Sequence, residues 1–316
     1  MATSDETLPD RVTVSVPNRS AADAAADRTQ RSAVEGFLTV ARERFRQSEE
    51  SETTLRRLQI RDLEFYRGDQ WPSHLVSQRQ QDSRPTLTIN RLPAFVRIIT
   101  NAARNAKPGI EVNPVDDGAD PETAKVLQGI IKQIERQSFA DQHYNYACEQ
   151  QAIIGRGWLR VLTDWENDQS FDQICKISRV ANPFSVYPDP ASIDPLYADQ
   201  RYAFITQDIP KKEFEKLYGK EELALSNTFY GSGDRTTSQS WMPEGKVRVA
   251  EYFYLEEDEY DLLLLTDGEE TLAIRADLFD KGTPNADRFK ILDRRKVRAK
   301  SVRWAKITGC SVLQGN

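Results

Sequence analysis

An α+β fold is expected from three features of this chain. Before about residue 155 apolar side chains recur at helical spacing between charged ones, and after it they alternate with polar ones as in half-buried strands. Helices and strands do not interleave as βαβ units, and no glycine-rich phosphate fingerprint follows a strand, which argues against a doubly wound parallel sheet. The 316 residues are 39 % hydrophobic and 29 % charged, a length for one large or two ordinary domains with a polar balance. Such polarity suits a multi-part molecule whose surface is completed by neighbours.

Residues 1–27 are rich in Ser, Asp, Thr and Ala, lack aromatics, and contain Pro9 and Pro17, so they read as a disordered tail. From Ser32 a helix is expected, with Val34, Phe37, Leu38, Ala41 and Phe45 on one face. A second helix carries Leu55, Leu58, Leu63 and Tyr66 and stops at Gly68, which takes the left-handed C-cap conformation readily. Thr86, Leu87, Thr88 and Ile89 alternate as a short strand. Asn90 then suits an N-cap, and Pro93 lies in the first turn of a helix reaching about Asn105, which completes a helical, Arg-rich region at 28–107.

After Lys107-Pro108-Gly109, a strand is expected at Ile110, Val112 and Val115. Asp120-Pro121-Glu122 opens a helix to about Ser138, with Asp as cap, Pro in the first turn and Glu at the positive end. Residues 139–154 continue as helix up to Gly155-Arg156-Gly157. Residues 158–163 and 174–180 predict a hairpin around Asn167-Asp168-Gln169-Ser170. Proline-punctuated loops (Pro183, Pro188, Pro190, Pro195) lead to a strand at 202–207 and a helix at 211–218, closing an α+β region at 108–225. Residues 226–245 are rich in Ser, Gly and Thr, and read as a flexible linker or loop. Beyond it, in a β-rich, basic-ended region at 246–316, strands at 246–255 and 260–266 flank the turn Glu256-Glu257-Asp258-Glu259. A short helix is expected at 272–279 and a basic strand at 296–307.

The net charge of −6 conceals a strong segregation. Residues 1–27 sum to −3, 28–107 to +6 with 14 of 15 basic residues Arg, 108–287 to −17, and 288–316 to +8. An acidic main body excludes gripping DNA by counterion release over most of the surface. It fits a wall past which DNA slips, and equally charge blocks that complement neighbouring subunits or keep the chain in solution. No run approaches the ~20 apolar residues of a spanning helix, and the N-terminus lacks a signal-peptide core, so no membrane association is expected. Cys148, Cys175 and Cys310 lie far apart and read as reduced thiols; with only His74 and His143 beside them, a Cys/His metal centre lacks ligands.

No P-loop, dinucleotide fingerprint or nucleophile elbow is present, so neither an enzyme nor a cofactor is expected. The acidic run Glu256-Glu257-Asp258-Glu259 with Asp261 supports one alternative, a Mg²⁺-dependent nuclease, although acids in a hairpin turn ordinarily point into water. The basic residues Arg294, Arg295, Lys296, Arg298 and Lys300 alternate so that many charges share one strand face. They are candidates for contact with phosphate or a protein partner, without base reading. Tyr252-Phe253-Tyr254 reads as core plus rim rather than a stacking platform.

A further signal lies in the order of several short segments. Gly68-Asp69-Gln70-Trp71 follows a helix end, and Arg84-Pro85 precedes the segment that ends in Asn90. Gly155-Arg156-Gly157-Trp158, Asn182-Pro183, Asp189-Pro190, Ala198-Asp199-Gln200-Arg201-Tyr202 and Trp304 with Ile307-Thr308-Gly309 come after them. From about residue 30 onward this series resembles the portal proteins, or head-to-tail connectors, of short-tailed bacteriophages of the Salmonella podovirus type. Gln200 is a local departure from their Asp-Ala pairing.

The resemblance implies wing-like and stem/clip-like β-rich regions after the helices, with the motif residues in structural roles. It also implies a homo-oligomeric ring, a dodecamer, at one capsid vertex of the virion or prophage particle. Double-stranded DNA passes through it non-specifically during packaging and ejection. Capsid proteins surround it, terminase docks on it and supplies ATP hydrolysis, and tail adaptor proteins later take terminase's place, with assembly in the host cytoplasm. It further implies that this chain is the N-terminal portion of a longer family member. Another head-tail connector or adaptor of the virion is the second reading.

Overall fold

Helices fill the first half of the chain and one antiparallel sheet dominates the second, the α+β arrangement expected. The computed structural model describes residues 21–106, 109–114, 120–232, 240–266, 271–282 and 289–315, with backbone alone for 21–31, 228–232, 244 and 280–282.

Helix α1 (Ala21–Arg67) is a single element of 47 residues, about 70 Å long at 1.5 Å per residue. Two helices were expected because the apolar stripe of Leu38, Ala41 and Phe45 gives way to polar residues near position 50. The helix continues because those polar residues are themselves bonded. Glu52 and Gln59 are buried; Arg156 Nη1 donates to Glu52 Oε2 at 2.7 Å, and Gln59 Nε2 donates to the Ile154 carbonyl at 3.0 Å. It ends at Gly68 (φ +101°), where Gly68 N donates to the Phe65 carbonyl and Asp69 N to the Glu64 carbonyl, the Schellman pattern. Its first residues fall within the segment read as a tail; residues 1–20 lie outside the described residues.

Helices α2 (Ser73–Gln81), α3 (Leu92–Ala106), α4 (Pro121–Gln137) and α5 (Ala140–Ile154) follow. Both expected caps are in place. Asn90 Oδ1 accepts from Leu92 N at 3.2 Å, and the Asp120 carboxylate accepts from Glu122 N at 3.0 Å and Thr123 N at 3.2 Å. Residues 86–89 are not a strand: they have no ladder partner among the described residues, and Leu87 and Ile89 are exposed. Ile110 and Val112 likewise belong to no sheet, and Val115 lies outside the described residues. Alternation alone does not make a strand when no edge is offered to it.

The hairpin β1 (Leu159–Trp165) and β2 (Gln173–Arg179) pairs Leu159 with Arg179 and Trp165 with Gln173. It is tied to the helices where Ile177 N donates to Ser138 Oγ at 3.0 Å. The main sheet has the order β3 (Val186–Pro188), β4 (Tyr202–Pro210), β5 (Lys246–Thr266), β7 (Lys290–Ile307), β8 (Val312–Gly315), with β6 (Thr271–Arg275) also on β5. All of its pairs are antiparallel. Along β5, Ala250 and Tyr252 point to one face and Val247 and Val249 to the other, as the pleat requires. Helix α1 covers the first face with Leu38, Ala41 and Phe45 against Tyr202, Phe204 and Tyr252. Helix α6 (Lys211–Tyr218) covers the second through Phe214, packed with Ile209, Val247 and Val249.

Three expectations in the second half change. The presumed linker at 226–245 begins inside α7 (Lys220–Ser232), and its Trp241 is 1 % exposed in the core, ring centroid 4.8 Å from that of Phe45. A polar, glycine-rich composition hid one anchoring aromatic; residues 233–239 lie outside the described residues. The helix expected at 272–279 divides into β6, paired with β5, and a helix at Ala276–Gly282. The turn at Glu256-Glu257-Asp258-Glu259 does not exist, because β5 runs through it for 21 residues.

Candidate functional site

The acids expected in a turn and the cations expected on a contact strand are two sides of one ladder. Strand β5 faces β7 with Glu257 opposite Lys300, Glu259 opposite Arg298 and Asp261 opposite Lys296. Arg303 Nε lies 2.6 Å from Glu256 Oε2, Lys300 Nζ 3.6 Å from Glu257 Oε1, and Arg298 Nε 2.6 Å from Glu259 Oε1; Arg294 pairs with Asp261. Cations across the strand relieve the repulsion between successive acids that makes a strand unfavourable here. The Glu256 hydrogen bond holds the Arg303 guanidinium above its ordinary value. The register places Arg294, Lys296, Arg298 and Lys300 on one face and Arg295 on the other, opposite Leu262.

This arrangement does not support the nuclease alternative. Glu256 points to the face opposite Glu257, Glu259 and Asp261, and each of the four is engaged by a cation. Among the described residues no three His, Cys, Asp or Glu side chains are placed to hold a metal ion.

Two groups of the motif residues form local hydrogen-bonded clusters. At the foot of α1, Asn90 Nδ2 donates to the Tyr66 carbonyl at 2.7 Å and Gln70 Nε2 to Asn90 Oδ1 at 3.3 Å, beside the Gly68-Asp69 helix end. Trp71 Nε1 donates to the Leu87 carbonyl at 3.4 Å, and the Arg79 guanidinium lies 4.9 Å from the Trp71 ring centre while donating to the Pro85 carbonyl at 2.8 Å. Arg84 N closes the end of α2 on the Arg79 carbonyl. These residues therefore splice α1, α2 and α3. The second group shapes the loop around β3. Asn182 Oδ1 caps the 3₁₀ turn Pro183–Ser185 through Phe184 N. Asp189, 3 % exposed ahead of the exposed Pro190, accepts from Ala191 N at 2.9 Å and Arg201 N at 3.2 Å.

Sequence reasoning missed a basic recess of about 620 Å³ against the main sheet, at the base of the β1–β2 hairpin. Arg56, Arg160, Arg179, Arg248 and Lys306 line it, against two carboxylates, Asp208 and Glu251. Arg160 Nη2 lies 2.9 Å from Glu251 Oε2, and Arg248 donates to both Asp208 oxygens at 2.7 and 3.0 Å. Arg56 stacks 3.8 Å from the Tyr187 ring centre and donates to the Val186 carbonyl at 2.6 Å. Burial holds the Arg56 guanidinium below its ordinary value and the Tyr187 phenol above its own. Burial also opposes the Arg248 charge, but the Asp208 hydrogen bond and the nearby acidic groups outweigh it and raise that group. The Nε atoms of Arg56 and Arg160 are buried without a hydrogen-bond acceptor among the described residues. These cations come from positions 56, 160, 179, 248 and 306, and no local pattern in the sequence joins them.

The molecule thus joins self-neutralised ladders, tightly spliced loops and one basic recess, with no reactive centre assembled among the described residues. Residues 42–316 match the model of the family described as Phage P22-like portal protein, in line with the series of short motifs. A match over most of the chain places this protein in the P22-like phage portal family, structural and ring-forming subunits of the virion's DNA channel rather than enzymes.

Proposed function

We propose that this portal subunit takes its place in a dodecameric ring, receives the packaging terminase and later the tail adaptor proteins, and joins capsid protein in the host cytoplasm. The observation that carries the DNA-conducting part of this reading is the β5–β7 ladder. The strand best suited by charge to grip phosphate has most of its cations opposed by carboxylates of its own sheet. With residues 108–287 at a net −17, a passing duplex meets a surface of low affinity and slides rather than sticks. The face bearing Arg294, Lys296, Arg298 and Lys300, and Arg295 behind it, serves protein contact in this reading. The work of translocation belongs to the docked motor.

Binding of a linear duplex to the purified protein at physiological salt tests the low-affinity surface. The expected dissociation constant is in the range of about 10⁻⁴–10⁻⁶ M, that of non-specific contact; nanomolar binding overturns it. Docking is tested by co-purification with the cognate large terminase and tail adaptor. Each is expected to bind the assembled protein, and failure of both removes that part of the reading.

A further inference from the structure

The β1–β2 hairpin presents opposite chemistry at its two ends. At the turn, Phe171 is 95 % exposed, flanked by the exposed carboxylates of Glu166, Asp168 and Asp172. The turn is shaped from within: Asn167 Oδ1 accepts from Gln169 N at 2.9 Å, and Ser170 Oγ accepts from Asp172 N at 3.0 Å. At the base, Arg160 and Arg179 open onto the basic recess, whose apolar lining includes Phe184, Tyr218 and Val249. The seven residues of β1 separate the two ends by about 20 Å at 3.3 Å per residue. The acidic, aromatic turn therefore does not fold back into its own recess.

We propose that the turn at 166–172 of one copy of this chain seats in the basic recess of the next copy. This rests on the ring reading above and assigns one contact of that ring. Charge favours it, because five cations line the recess against two carboxylates. The three carboxylates of the incoming turn offset the positive excess of the recess. Size favours it as well: about 620 Å³ admits a phenylalanine side chain with part of its turn and excludes a duplex. An aromatic anchor entering a partly apolar pocket is the usual centre of such a contact. Symmetry is in keeping with it, since a projection and a socket on different surfaces make the head-to-tail kind of contact from which a ring is built when the rotation between copies closes.

The test uses unlabelled and ¹⁵N-labelled copies of the whole chain, mixed, assembled and treated with a carbodiimide that joins a lysine amine directly to a carboxylate. Peptides linking Lys306 of one isotope to Glu166, Asp168 or Asp172 of the other are expected. Mixed-isotope links confined to other sites, or none at all, overturn the proposal. Phe171→Ser is expected to weaken self-association at least about tenfold in sedimentation while leaving the circular dichroism spectrum unchanged, since the ring is almost wholly exposed. Undiminished rings in that variant sink this contact and leave the portal reading standing. A chain that stays monomeric at every concentration counts against both.

Discussion

Gly157 is a residue whose neighbours could not be seen in the sequence. Gly155 and Gly157 both read as turn glycines, and only the first is one, capping α5 with φ +80°. A Cβ on Gly157 would sit 1.9 Å from the Ala147 carbonyl oxygen, so its role is to let the hairpin start pass against α5. Gly157→Ala forces backbone apart and is expected to cost about 3 kcal/mol in urea unfolding; a neutral result contradicts the packing described. Asp120 is the opposite case, legible at once as an N-cap. The backbone hydrogen bond from Glu122, then that from the Thr123 hydroxyl, holds its carboxyl below the ordinary aspartate range. A folded-state value below the unfolded one means stability that is full above the ordinary range and lost as pH falls through the lowered value. Asp120→Asn keeps the cap and removes the charge. The Tm difference between wild type and variant should therefore shrink as pH drops from neutral toward 3, and a constant difference contradicts the assignment.

Elements were misread where their support comes from far along the chain. Acids at 256, 257, 258 and 259 are poor strand formers on their own, so they resemble a turn until Arg303, Lys300 and Arg298 are set opposite them. The same holds for α1, whose middle is anchored by Arg156 and the Ile154 carbonyl rather than by an apolar stripe. Trp241 was overlooked because its surroundings are polar, yet it packs against Phe45 in the core. Trp241→Ala is expected to remove about 3–5 kcal/mol of stability in urea unfolding. By contrast the Glu259–Arg298 pair is exposed on both sides. Glu259→Ala should change stability by no more than about 1 kcal/mol, and a larger loss would mean the ladder is more than a set of exposed pairs.

At the scale of the molecule, fold class, segment order and family were legible because they rest on periodicity, caps and a series of short motifs. The recess was not, because α1, β1, β2, β5 and β7 each contribute a single cation to it. Nor was the extent of uncovered apolar surface. Phe95, Ile98 and Ile99 share one face of α3 and are exposed, close in sequence to the exposed Leu87 and Ile89, and an apolar helix face left uncovered belongs inside an assembly. These surfaces, the hairpin turn and the acidic body have a common explanation in a subunit completed by copies of itself around a DNA path. Electron microscopy of the purified protein at assembling concentrations is the most direct measurement: closed rings with an axial hole wide enough for a duplex are predicted, and a uniform population of monomers contradicts the account.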